Sequence, residues 1–323
     1  MNVEVDFDTL VETAPYGIVS YLAVNECRKL RATNKNIRLQ IPHSMQEFYC
    51  GYRGQLKWIS GGHESSLLDG PISKAKYNGI RSMSCTSSGT VVVADTNNGV
   101  VRALRHGKAD VLTSRGRCFA LTVLCKGEDV YLGMADGIEH FSLASQNNIY
   151  VLRHSPKRLF SFSVDAEDVS VPFAMCWSGT FTDTLPAVLF TTFGTSRICI
   201  NESSKHIKGA TLHGICAYSN KLVNGALVCD TGNNQILLVD TQGNSSFFLA
   251  IPSPRCIEKL GTTLFVSSET FLYEIRRFES KPMIIKHDLD NDLPWVGHYV
   301  SSLTATPDGT LLVGTYSQIF AFL

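Results

Sequence analysis

Nine histidines and ten cysteines are the side chains best suited to metal binding, nucleophilic attack or proton transfer in this chain, and their spacing argues against all three. His106, His140, His154, His206, His213, His287 and His298 are spread along the sequence without clustering. His213, just ahead of Gly214-Ile215, is the best single candidate for a position on a shared axis, and a strand-edge histidine of this kind is ordinarily a hydrogen-bonded structural residue. Cys118 and Cys125 are the closest pair of thiols, and no C-x-x-C occurs, so neither a zinc site nor a disulfide framework is indicated. Cys85, Cys176, Cys216 and Cys229 lie within apolar runs, where a thiol acts as a small hydrophobe. G-x-S-x-G, H-E-x-x-H and P-loop patterns are absent. No catalytic residue, metal ligand or cofactor site is therefore expected, and the chain reads as a non-enzyme.

Composition narrows the remaining classes. The 323 residues carry 29 Lys+Arg against 29 Asp+Glu, and 44% are apolar, enough for a large core without a global field that would draw in phosphate backbones. Local basic patches remain: Arg102, Arg105, His106, Lys108, Arg115 and Arg117 form one, and Arg153, His154, Lys157 and Arg158 with Phe160 and Phe162 form another. Such residues suit phosphate contact with base stacking, or equally an acidic protein segment. No apolar run reaches the roughly 18–20 residues of a membrane span, and the acidic start Met1-Asn2-Val3-Glu4-Val5-Asp6 is unlike a targeting peptide. The expected compartment is cytosol or nucleus.

The elements that must position these residues show themselves as a repeat. A short apolar run, a small polar turn and a second apolar run recur from Gly89, Glu128, Pro186, Gly225, Thr262 and Gly309, with starts about 40 residues apart and longer gaps before the third and sixth units. The runs are rich in Val, Ile, Phe and Tyr and are bounded by Gly, Asn, Asp and Thr, as β-hairpins are. Most are preceded by another short run, such as Ile80–Thr86, Phe119–Cys125, Phe173–Trp177, Ile215–Tyr218 and Val300–Thr306. Some are followed by a fourth, such as Ala109–Thr113 and Ser246–Ala250. Four strands per unit make a propeller blade, and six units make six blades. The stretches Arg153–Pro186 and Glu279–His298 read as loop insertions, the second carrying Trp295 among acidic residues as a candidate interface anchor.

Two hairpin turns align without a gap, Asp95-Thr96-Asn97-Asn98-Gly99-Val100-Val101 and Asp230-Thr231-Gly232-Asn233-Asn234-Gln235-Ile236. Aspartate and asparagine side chains bond nearby backbone N–H groups, so Asp95 and Asp230 read as turn anchors. With Asp69-Gly70-Pro71 and Ala75-Lys76-Tyr77 ahead of Gly79-Ile80, these turns resemble the NHL repeat family of six-bladed propellers. The chain stops in the second strand of its last hairpin, which leaves an outer strand missing. Gly54–Gly61, standing ahead of the first repeat, is predicted to supply it and so remove an open sheet edge. The fold expected is mainly β: a six-bladed NHL-like propeller over 49–323, closed by strand 54–61, behind a small helical module over 1–48.

In that first module Leu10, Ile18, Tyr21, Leu22, Leu30 and Ile37 recur at helical spacing among charges. Leu10, Ile18-Val19-Ser20-Tyr21-Leu22, Glu26, Leu30-Arg31 and Lys35-Asn36-Ile37-Arg38 together resemble an F-box. Val11 stands where that family has a proline, and Pro15 moves the start of the first helix to about Ala14. The resemblance implies that Leu10, Ile18, Leu22, Leu30 and Ile37 face a Skp-type adaptor or pack the helices, and that the chain is the substrate-recognition subunit of a cullin-RING ubiquitin ligase. The propeller would hold the protein client, with Arg102, Arg105, Arg153, Arg158 and Trp295 as the candidate client-binding residues. A helical cap sealed against the propeller is the alternative reading of 1–48. An RNA-binding propeller and a propeller hydrolase or lyase are the alternatives for the whole chain.

Overall fold

A computed structural model describes residues 55–112, 120–134, 137–146, 149–161, 172–177, 188–192, 196–200, 203–220, 223–269, 271–289 and 299–322. Leu10, Ile18, Leu22, Leu30, Ile37 and Trp295 lie outside the described residues.

Those residues are almost entirely β. After β1 (Leu56–Gly61) the chain builds a first sheet from β2 (Gly70–Pro71), β3 (Ile80–Cys85), β4 (Val91–Asp95), β5 (Val100–Arg105) and β6 (Lys108–Val111). The next sheets hold β7 (Thr122–Lys126), β8 (Asp129–Met134), β9 (Gly137–Gln146) and β10 (Ile149–Ser161), then β11 (Pro172–Trp177), β12 (Val188–Thr192), β13 (Arg197–Ile200) and β14 (Ser203–His206). There follow β15 (Leu212–Ser219), β16 (Asn224–Asp230), β17 (Gln235–Asp240) and β18 (Ser245–Ala250), and β19 (Ile257–Leu260), β20 (Thr263–Ser268), β21 (Phe271–Arg276) and β22 (Met283–Asp288). The last sheet joins β23 (Ser302–Ala305), β24 (Leu311–Gly314) and β25 (Gln318–Phe322) to β1.

Every paired strand runs antiparallel to its neighbour, and the first strands of the sheets touch in a cycle: β3 meets β7, β7 meets β11, β11 meets β15, β15 meets β19, β19 meets β23, and β23 returns to β3. This is a propeller arrangement. The six uniform blades expected are not what the chain builds: five sheets are four-stranded blades, and the sheet around β4 departs from them with a fifth strand, β2, hydrogen-bonded to β6.

The core lies between sheets, and the middle strands show why their sequences are apolar without alternation. In β4, Val91 and Val93 pack with Leu312, Ile319 and Ala321 of the last sheet, while Val92 and Ala94 pack with Val123, Val130 and Leu132 of the next. In β20, Leu264 and Val266 face one neighbour and Phe265 the other. A strand covered on both faces reads as a continuous apolar run. Outer strands are the reverse case. β10 and β22 fall where the sequence reads as loop insertions, because an outer strand is solvated and carries charges: β22 is Met-Ile-Ile-Lys-His-Asp, and its side chains are mostly exposed.

The paired turns after β4 and β16 are built alike. Asp95 accepts the Asn78 N–H at 2.8 Å and the Asn98 side-chain amide at 2.8 Å. Asp230 accepts the Thr211 N–H at 2.8 Å and the Asn233 amide at 2.8 Å. Each carboxylate fastens a short 3-10 turn to the residue leading into the first strand of its own sheet. Each turn then ends in a left-handed residue, Gly99 or Asn234. The anchoring role expected of both aspartates is the one they perform.

Candidate functional site

Each sheet leaves its first strand without a partner on the axis side, so backbone groups there must be met from neighbouring sheets. Ser302 Oγ accepts the Met83 N–H at 2.8 Å, Ser82 Oγ the Val123 N–H at 3.1 Å, and Ser84 Oγ the Cys125 N–H at 2.9 Å. The Gly214 N–H donates to the Arg255 carbonyl at 2.7 Å. A Cβ on Gly214 would lie 2.5 Å from that oxygen, so only glycine permits the approach. These bonds lace the inner strands around an axial cavity of about 260 Å³ to which all six contribute.

Three charged side chains line this cavity: Arg81 on β3, Arg255 just ahead of β19, and Glu258 within β19. Glu258 Oε1 accepts the Ala305 N–H at a long 3.4 Å. Burial pushes the Glu258 carboxyl up to about 8, with the Ala305 N–H acting the other way, so the group is protonated at neutral pH and can donate a hydrogen bond. Arg255 lays its guanidinium 4.8 Å from the centre of the Tyr299 ring, and its Nε is buried without a hydrogen-bond partner among the described residues. Among those residues neither Arg81 nor Arg255 forms an ion pair.

The cavity's thiols are poor nucleophiles. Burial pushes Cys85 up to about 12, with Asp308 and Glu128 adding to it, and Cys125 to about 12 and Cys256 to about 11 by burial as well. Its serines are engaged with backbone, and among the described residues no histidine lines it. His213 sits beside it in the turn system instead. Thr231 donates its hydroxyl proton to the Pro254 carbonyl, so the hydroxyl oxygen accepts from His213 Nδ1 at 2.8 Å. Burial lowers the His213 pKa, and the ring is a neutral structural piece. No group of three or more His, Cys, Asp or Glu side chains among the described residues is arranged to hold a metal ion.

Of the client-binding residues inferred from sequence, only Arg102 and Arg105 have described side chains. Arg102 is fully buried and belongs to the interior: it donates to Asp69 Oδ1 at 2.7 Å, to the Leu68 carbonyl at 2.6 Å and to the Lys76 carbonyl at 2.5 Å, and it lies over the Tyr77 ring. It cannot meet a client or RNA, because its position in a middle strand turns it between sheets, where Asp95 and Asp69 neutralise it. Arg105 is half-buried at the end of β5. Arg153 and Arg158 sit in β10, and their side chains are outside the described residues. The cavity-lining Arg81, Arg255 and Glu258 were missed by sequence. The available signal was positional: Ile257-Glu258-Lys259-Leu260 occupies the slot before the Thr262 hairpin that inner strands fill in the other repeats.

The chain is similar to β-propellers of known structure. A structural-genomics protein of unknown function from Bacteroides thetaiotaomicron superposes with a TM-score of 0.60 at 11% identity, over 82% of this chain and 75% of that one. A catalytically inactive virginiamycin B lyase from Staphylococcus aureus, solved with quinupristin, gives 0.52 at 14% identity over 80% and 100%. A putative glucose dehydrogenase from Thermus thermophilus gives 0.54 at 11% identity over 83% and 99%. At these identities the likeness is one of fold. No protein-family model matches the sequence, and no curated protein matches it.

Proposed function

We propose that this chain is a recognition protein in which the propeller is the binding platform and residues 1–48 are an adaptor-docking handle of the F-box type. It would act in the cytosol or nucleus as the client-holding subunit of a cullin-RING ligase. The observation that supports a binding role is the state of the axial cavity among the described residues: burial raises the pKa of its thiols, and its serines are committed to backbone. The handle is supported by where the chain enters the ring. β1 is the outermost strand of its sheet, on the far side from the inner strand β23. Catalysis then belongs to partners, and the contribution of this chain is proximity, turning a chance encounter into an effectively intramolecular one. Among the described residues no helix is long and apolar enough to cross a membrane.

The test is co-purification of the full chain, and of the chain lacking residues 1–48, with a Skp-type adaptor. Retention by the first and loss by the second is expected; no retention by the full chain overturns the ligase reading. One observation favours a second reading, a propeller lyase or hydrolase: Glu258, protonated near neutrality in a cavity, has the acidity of a general acid. Turnover of a cyclic ester or peptide that Glu258→Gln abolishes would favour it.

A further inference from the structure

The axial cavity holds a feature that the docking role leaves unused. Two arginines line it from different sheets, Arg81 from β3 and Arg255 from the segment entering β19, and β23 lies between those strands in the ring. Charged groups are rarely left in a recess without a counter-charge, and the Arg255 Nε is both buried and unpartnered among the described residues. Tyr299 fixes the guanidinium plane from one side, which orients the donors that remain. Three residues on, the Glu258 carboxyl has one weak hydrogen bond among the described residues, from the Ala305 N–H. Three residues of extended chain place it up to about 10 Å from Arg255.

The geometry points to a small-molecule site in which an organic acid enters the axial cavity, its carboxylate held by Arg255 and Arg81 and its far end hydrogen-bonded by Glu258. A cavity of about 260 Å³ suits a short acid and excludes a folded partner. Guanidinium is the side chain matched to a carboxylate, through two parallel N–H donors. Glu258 in its protonated form supplies the donor for a carbonyl or a second carboxyl. This site does not depend on adaptor docking, and either can fail without the other.

The protonation of Glu258 makes the site sensitive to pH. Near it stand Cys176 of β11 and Cys216 of β15, thiols whose pKa burial raises and the Glu258 charge raises further, with His213 at the start of β15. Lys259 and Arg255 flank it on its own segment, and β20 and β23 contribute no titratable group. As pH rises through about 8 the carboxyl loses its proton and becomes a repelling charge at the ligand's far end.

Titration calorimetry of the full chain with adipate, acetate and inorganic phosphate tests this. Adipate is expected to bind saturably at pH 6.5 and more tightly than acetate, to weaken by about ten-fold or more in Arg255→Gln, and to weaken above pH 8 in the wild type. In Glu258→Gln the loss above pH 8 should disappear. If Arg255→Gln lowers the melting temperature of the free protein, Arg81→Gln, on the exposed rim, serves in its place. Absence of saturable binding by adipate, binding unaffected by the arginine substitutions, or phosphate binding as tight as adipate with no dependence on Glu258 would each overturn the site.

Discussion

Glu258 and Glu274 sit two strands apart in one sheet and titrate in opposite directions, for reasons their partners make plain. Glu258 has burial and one long N–H contact, and its pKa rises from 4.5 to about 8. Between those values the unfolded carboxyl is ionised and the folded one is not, so rising pH draws the chain towards unfolding. Glu258→Gln should therefore be neutral in stability near pH 4 and stabilising by roughly 1–2 kcal/mol near pH 8, after allowing for solvent in the channel; urea midpoints at the two pH values check this. Glu274 is also pushed up by burial, but His287 at 3.0 Å and Arg276 at 2.5 Å outweigh it, and its pKa falls below 4.5. Its stabilising contribution is complete above about pH 4.5 and is lost as pH falls through the lower folded value. The urea midpoint should thus drop below pH 4.5 more steeply in the wild type than in Glu274→Gln, and equal slopes would remove the pair from the account of acid stability. Arg102 shows the limit of reading charge from sequence. A cluster of cations looks like a surface patch until the strand's register turns one inward, and Arg102→Met should cost about 3–5 kcal/mol by leaving Asp95 buried without its counter-charge.

At the level of the element, the Asp-Thr-x-Asn turns carry more weight than their length suggests, since each ties a hairpin to the lead-in of its own inner strand. Asp230→Ala would strand the Thr211 N–H together with the amides of Asn233 and Gln235, all now met at 2.8 Å. A loss of about 1–3 kcal/mol is expected, with hydrogen exchange rising first at Thr211. If protection falls evenly over the sheet instead, the turn has no local role. These turns were legible because their chemistry is local: an aspartate, an asparagine three residues on, and a residue tolerant of positive φ. The middle strands were legible because burial on both faces writes an unbroken apolar run. Outer strands such as β10 and β22 were not, because a solvated edge carries the same residues as a loop and only its pairing reveals it. The inner strand Ile257–Leu260 was hidden by Glu258, which lines the axial cavity, and by Lys259, whose ammonium lies over the Tyr218 and Phe278 rings.

For the molecule as a whole, β1 decides whether the ring is closed. It pairs with β25 from Leu56 opposite Phe322 to Gly61 opposite Gln318, and Ser317 Oγ donates to the Gly62 carbonyl at 2.9 Å. Gly61 adopts φ 95°, and a Cβ there would lie 2.1 Å from the Ser317 carbonyl, so the junction admits no side chain. Removing residues 55–61 should expose the β25 edge, raise aggregation at micromolar concentration and broaden the thermal transition, as light scattering and calorimetry would register. A truncated chain that stays monodisperse with an unchanged transition would show that β1 is dispensable. Closure by a strand from the front of the sequence follows from the repeat's own arithmetic, whereas the arginines and the glutamate of the axial cavity do not, because their meeting depends on sheets far apart in the chain.

The same junction sets an order of events during synthesis. The strand that completes the last sheet leaves the ribosome among the first described residues, and its partner leaves among the last, so β1 must wait through the synthesis of the whole ring for the surface it will cover. At about 5–20 residues per second that interval is tens of seconds, during which a nascent open arc of sheets presents apolar faces to whatever is nearby. A circular permutant that begins at the β6–β7 connection and joins the old termini by a linker would make β25 and β1 emerge one after the other. It should fold from the ribosome with less call on holding chaperones, at unchanged final stability.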